Sequence, residues 1–169
     1  MTALLRTFVE ICLFRLPPQV LPDSRFLLGL TVIVYAALGV LQMLVDGMRW
    51  LPTLVIGILD PLLLAEFIWL ALYFRNRKGR FRQTATAAFG TGVVLTLVAI
   101  PVLATAGALG AGPFTGLLVW VIFFWGIAVL AHILRHALEI RGLASGLLAF
   151  AYTLATLILY SGLFPPAGS

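Results

Sequence analysis

The sequence is short of charge, of cysteine and of any recognisable catalytic pattern. Only 10% of its 169 residues are charged, against about a quarter in an average soluble domain. A chain of this length with 62% hydrophobic residues could not keep so much apolar surface from water, which excludes an ordinary soluble fold. The single cysteine, Cys12, excludes an internal disulfide and a cysteine-built metal site. There is no Gly-x-Ser-x-Gly, no His-Glu-x-x-His and no glycine-rich phosphate loop. No exposed segment holds the paired acids of glycoside chemistry. The expectation is a non-enzyme with no cofactor and no metal.

What is present is chemistry suited to lipid. The expected fold is an all-α integral membrane protein, a five-transmembrane-helix bundle preceded by a short N-terminal interfacial amphipathic helix. Apolar runs fall near residues 26–45, 51–74, 85–106, 116–139 and 143–164, each close to the roughly 20 residues a bilayer requires. Residues 1–22 form the interfacial segment and 23–169 the bundle. Within 1–16, Leu5, Phe8, Val9, Cys12 and Leu16 recur at helical spacing. Arg6 and Glu10, one turn apart, can pair. Glu10 and Arg15 interrupt the apolar run, so it does not read as a cleavable signal. Pro17, Pro18 and Pro22 end the helix, and Asp23 and Ser24 suit the N-cap of the next one. Asp46 to Trp50 reads as a tight turn.

Charge sets the orientation. The formal net charge is +5, and the cations sit between the apolar runs. With the N-terminus in the cytoplasm, ten of eleven cations lie inside and only Arg49 outside, as the positive-inside rule asks. The C-terminus is then on the opposite side. Arg75, Arg77, Lys78, Arg80 and Arg82 are expected to meet anionic headgroups, with the lipid bilayer and other membrane proteins as partners and no nucleic acid. Trp50, Trp69, Tyr73, Trp120 and Tyr160 fall near predicted interfaces, as belt residues do. Arginine outnumbers lysine ten to one and the loops are short, a prokaryotic composition that suggests the cell (inner) membrane.

The spans are expected to pack through small residues. Ala88, Gly92 and Thr96 are four apart in the third span, and Ser145, Ala149 and Thr153 repeat the pattern in the fifth. Such stripes let helix backbones approach closely in lipid.

Polar residues inside the spans are the candidate sites. The second span carries Asp60-Pro61 and Glu66. Its fourteen Leu, Ile, Val and Phe residues favour insertion by roughly 4–8 kcal/mol, and the two acids oppose it by about 5. Such a helix is marginal alone and needs neighbours or neutral acids. Asp60 and Glu66 lie roughly 120° and about 9 Å apart on a helix, too far for a carboxylate dyad. Pro61 is expected to kink the helix and free carbonyls beside Asp60, a feature of ion and proton pathways. The alternative is a protonated Asp60 hydrogen-bonded within the bundle. His132, Arg135, His136 and Glu139 share one helical face. Two histidines and an acid could bind a metal, but Arg135 among them repels a cation, so the face reads as a helix end in water. Glu66 and His132 lie at similar depth, which predicts that Glu66 meets the His132/Arg135 face.

The order of features resembles the Yip family of Ypt-interacting membrane proteins. The interfacial start Leu4-Leu-Arg-Thr-Phe-Val-Glu-Ile-Cys-Leu-Phe-Arg-Leu-Pro-Pro18 runs into a first span. Later, in the stretch Trp125 to Leu143, a span ends in Leu130-Ala-His-Ile-Leu-Arg-His-Ala-Leu138 and is followed directly by a last span. The chain lacks the Asp-Leu-Tyr-Gly-Pro element and the long polar N-terminal region of eukaryotic members, so Rab GTPase binding is not carried over. The resemblance implies a five-helix fold and a role in membrane organisation, with no defined activity. The leading functional expectation is thus a non-enzymatic interaction or membrane-organising component. The alternative is a small transport or ion-coupled protein using Asp60, Glu66 and the His132/Arg135 face. On topology, reporters fused after Phe81 are expected in the cytoplasm and those fused near Ala111 or after Ser169 on the other side. A cytoplasmic C-terminus would overturn the five-span arrangement.

Overall fold

The structure, a computed structural model, describes residues 2–45, 47–109 and 112–163. Asp46 of the expected first turn and Phe164, the expected end of the last span, lie outside the described residues. Among the described residues there are six α-helices: α1 (Thr2–Cys12), α2 (Arg25–Val45), α3 (Trp50–Phe74), α4 (Phe81–Leu109), α5 (Pro113–Leu138) and α6 (Gly142–Leu163). The protein is an all-α bundle, and α2 to α6 are each long and apolar enough to cross a membrane. The five bundle helices follow the expected spans closely, although α4 starts four residues before its apolar run. Helix is the natural answer in lipid, because each backbone N–H finds its carbonyl within the same segment.

Side chains that would otherwise be stranded are satisfied the same way. The hydroxyls of Thr31, Thr53, Thr84, Thr91, Thr153 and Thr156 each donate to a carbonyl one turn back on their own helix. Ser24 caps α2 by accepting from the Leu27 N–H at 3.3 Å. Arg6 and Glu10 pair at 2.8 Å. α3 continues through Pro61 and α4 through Pro101.

Consecutive bundle helices run up and down, and α2 packs most extensively on α4, with α5 beside α4 and α6 beside α5. Of the two small-residue stripes, Ala88, Ser145 and Ala149 are buried. Gly92 lies under the Tyr35 ring of α2; a Cβ there would fall 2.5 Å from that ring. Glycine at this position is what lets α2 sit so near α4.

One end of the bundle gathers the cations. Glu139, in a left-handed conformation (φ 51°) just past α5, takes Arg77 at 2.5 Å and Arg80 at 2.8 Å. The Arg80 hydrogen bond, helped by Arg77, holds the Glu139 carboxyl below the usual glutamate range. Arg82 pairs with Asp23 at 3.3 Å, and Lys78 lies 4.0 Å over the Tyr73 ring. Three of the five cations expected to meet headgroups are thus also engaged with acids of the chain. Glu139 joins this ion cluster at the helix end.

The N-terminal segment is amphipathic as expected, with Phe8 and Cys12 facing protein and Leu5 and Val9 exposed. Its helix stops at Cys12, four residues short of Leu16, and Phe14 turns the chain at φ 60°. That turn stacks the Phe14 ring against Trp125 and His132, with centroids 5.5 and 5.4 Å apart. Phe8, Ile11, Cys12 and Leu21 are buried in the core of the bundle. Phe8 enters a notch that exists because residue 90 is glycine; a Cβ there would overlap its ring. The chain after α1, irregular apart from a 3-10 turn at Pro18–Val20, exposes carbonyls, and side chains of α4 and α5 take them up. The Trp125 indole N–H donates to the Cys12 carbonyl at 3.0 Å. His132 Nε2 meets the Leu16 carbonyl at 3.0 Å, and Gln83 donates to the Leu21 carbonyl at 3.0 Å. Gln19 in turn donates to the His136 carbonyl at 2.7 Å. Residues 12–24 form a strap tied to α4 and α5 by four side-chain hydrogen bonds.

The strap can be tested through its cysteine. Cys12 is 5% exposed, and burial pushes its thiol up to about 11. A maleimide at neutral pH should therefore label it very slowly in the folded protein. The double variant Trp125→Phe, His132→Phe removes two ties and should label faster while keeping its helix content. Equal labelling rates in the two proteins would show that these bonds do not hold the strap.

Candidate functional site

The candidate site is built around Asp60. It lies 14 residues from the Phe74 end of α3 and 10 from the Trp50 end, about 21 and 15 Å along the axis. A carboxylate in the middle of a membrane-crossing helix is costly unless the bundle gives it partners. Two phenols serve. Tyr35, midway along α2, donates its hydroxyl to Asp60 Oδ2 at 2.6 Å. Tyr160 of α6 donates to Oδ1 at 2.9 Å. One acid thereby ties three helices together. The Tyr35 ring is fixed from behind by Gly92 and by an edge contact with Phe89 at 5.3 Å between centroids.

Asp60 and Tyr35 stand on the wall between two cavities. One, of about 140 Å³, extends toward the cation-rich end past Leu64, Ala88 and Ile133. The other, of about 300 Å³, extends toward the opposite end past Met43, Met48 and Ile56, and Tyr160 borders it. Tyr152 of α6 lines the first cavity.

The other expected site residues go elsewhere. Glu66 does not meet the His132/Arg135 face. It is exposed on the outside of the bundle, in a groove shared with Tyr152, Ala155, Thr156 and Leu159 of α6. The expectation matched depth along the helices but not azimuth; α3 turns this residue toward α6, whereas the histidine face of α5 is turned to the strap. Among the described residues, no hydrogen-bond or ion-pair partner reaches Glu66. His132 and His136 stack at 4.4 Å between ring centroids. Each binds a carbonyl through one ring nitrogen, Leu16 for His132 and His132 itself for His136 at 2.9 Å. A carbonyl only accepts, so His132 Nε2 and His136 Nδ1 carry hydrogens. Arg135 points away, exposed. The face expected to end in water is instead half-covered by the N-terminal strap. Among the described residues, no three of His, Cys, Asp and Glu gather as metal ligands.

The chain matches no family model, no curated protein and no solved structure. What it can do is therefore read from its geometry alone.

Sequence reasoning found Asp60 and missed both of its partners. Tyr160 was assigned to the interfacial belt, and the structure turns it inward to the acid. Tyr35 offered a usable signal: it lies ten residues from either end of α2, too deep for a belt tyrosine. Removing one donor should show in stability. Tyr35→Phe is expected to cost about 1 kcal/mol, the scale of interhelical hydrogen bonds in membranes. The cost should largely vanish when Asp60 is already Ala, since Tyr35 then has no acceptor at that position. Additive losses in this double-mutant cycle would mean that the pair is not coupled.

Proposed function

We propose that this multi-pass membrane protein is a small ion-coupled transport protein in which Asp60 takes up and releases a proton. One observation carries the reading: a mid-membrane carboxylate, tied to two other helices, stands between cavities extending toward opposite ends of the bundle. An ionised Asp60 accepts from both phenols. A protonated one has a hydrogen of its own to place, and its hydroxyl oxygen is a poorer acceptor, so the bond to one phenol weakens or reverses. Proton uptake would thereby alter the contact of α3 with α2 or α6 and favour opening of one cavity over the other. This gives the carboxylate a mechanical consequence, which is what ion coupling needs.

In this reading the cation-rich end is cytoplasmic, with the N-terminus inside and the C-terminus outside, in an inner membrane of prokaryotic type. The support is the cation count. The second reading is an interaction or membrane-organising component, as the resemblance to the Yip family implies. It is favoured by five spans that follow a short N-terminal segment and by the brief connections between α3 and α4 and between α5 and α6. The two readings separate in liposomes. Under the transport reading, purified protein collapses an imposed pH gradient, and Asp60→Asn abolishes that flux while remaining folded. Flux that survives Asp60→Asn, or wild-type protein with no flux, would reject the transport reading.

A further inference from the structure

We infer that the groove between α3 and α6 is a binding site for a lipophilic organic cation, with Glu66 as its counter-ion. The inference rests on the ion-coupled reading of Asp60 and assigns it a substrate class. Glu66 lies eight residues from the end of α3, about 12 Å along the axis. That is within the apolar run, below Trp69 and Tyr73 on the same helix, and the residue faces outward. No side chain among the described residues neutralises it. A carboxylate so placed either keeps a proton or waits for a cation.

The surroundings favour a cation with an apolar body. The groove has a volume of about 250 Å³, and its walls include Leu63, Leu70 and Leu159. Phe67 and Tyr152 also line it, stacked on each other at 4.6 Å between centroids. Aromatic faces beside an acid are the usual setting for organic ammonium recognition. A diacyl phospholipid fits less well: its phosphate would lie next to its amine, against Glu66. A second copy of this chain offers no cation at the right depth either. Arg135, exposed on α5, lies only three residues from that helix end, against eight for Glu66.

The groove also adjoins the central site. Tyr152 is a wall of the groove on one side and of the cavity bordered by Asp60 on the other. A cation arriving from the membrane meets Glu66 first and pairs with its carboxylate. Displacement of Tyr152 by the bound cation would then reach the cavity at Asp60.

The test uses full-length protein in nanodiscs with tetraphenylphosphonium as the probe. Saturable binding is expected. Glu66→Gln should lose binding by tenfold or more, and Glu66→Asp should retain most of it. Asp60→Asn should still bind the probe while losing proton flux, which separates failure of this inference from failure of the transport reading. Absent or Glu66-independent binding overturns the inference. So does efficient cross-linking of Glu66→Cys between two copies in native membranes when the wild type binds no probe; the groove would then be a helix-docking surface.

Discussion

Hydrocarbon offers no hydrogen bonds, and the rest of this structure follows from that. A polar group within the bundle must find its partner in the protein. The backbone does so by forming helix, and threonines do so by bonding back one turn. Ion pairs gather at one end: Arg77 and Arg80 on Glu139, Arg82 on Asp23. Where the chain leaves helix near the core, after Cys12, its carbonyls would be orphaned. Trp125, His132 and Gln83 supply the missing donors. The same constraint explains why a tryptophan and a histidine of α5 are turned to the strap.

Asp60 is the severest case of that constraint. Its two oxygens take one phenol each, from helices distant in sequence, so the acid serves as a three-helix junction as well as a titratable group. Hydrophobic burial cannot hold such helices together in lipid, since lipid is as apolar as leucine. Close packing and polar ties remain. Gly92 under Tyr35 combines the two: the missing Cβ admits the ring, and the ring carries the hydroxyl to Asp60. Glu66, on the same helix, has neither kind of support, and that contrast marks it as a group facing something outside the chain.

Much of the architecture was legible in the sequence because it depends on local composition. Runs of apolar residues mark α2 to α6 to within a few residues, since span length is fixed by bilayer thickness. Ser24 as a cap and Arg6 with Glu10 were equally readable, being contacts within one turn. The candidate site was half legible. Asp60 stands out as an acid in an apolar run, but its partners are 25 residues before it and 100 after it. The amphipathic helix at the N-terminus was legible from its apolar spacing, but nothing local says that Phe8 has a glycine notch waiting on α4.

The sequence by itself determined the helices, their count and the end at which charge collects, because each rests on the cost of placing a residue in hydrocarbon. Only the tertiary structure decided which way each helix is rotated about its axis. That rotation puts Asp60 between Tyr35 and Tyr160, turns His132 to the strap instead of to Glu66, and leaves Glu66 outside. A helix that is apolar nearly all round carries no stripe to fix its azimuth. Its orientation comes from a few polar ties and small-residue contacts between segments far apart in the chain.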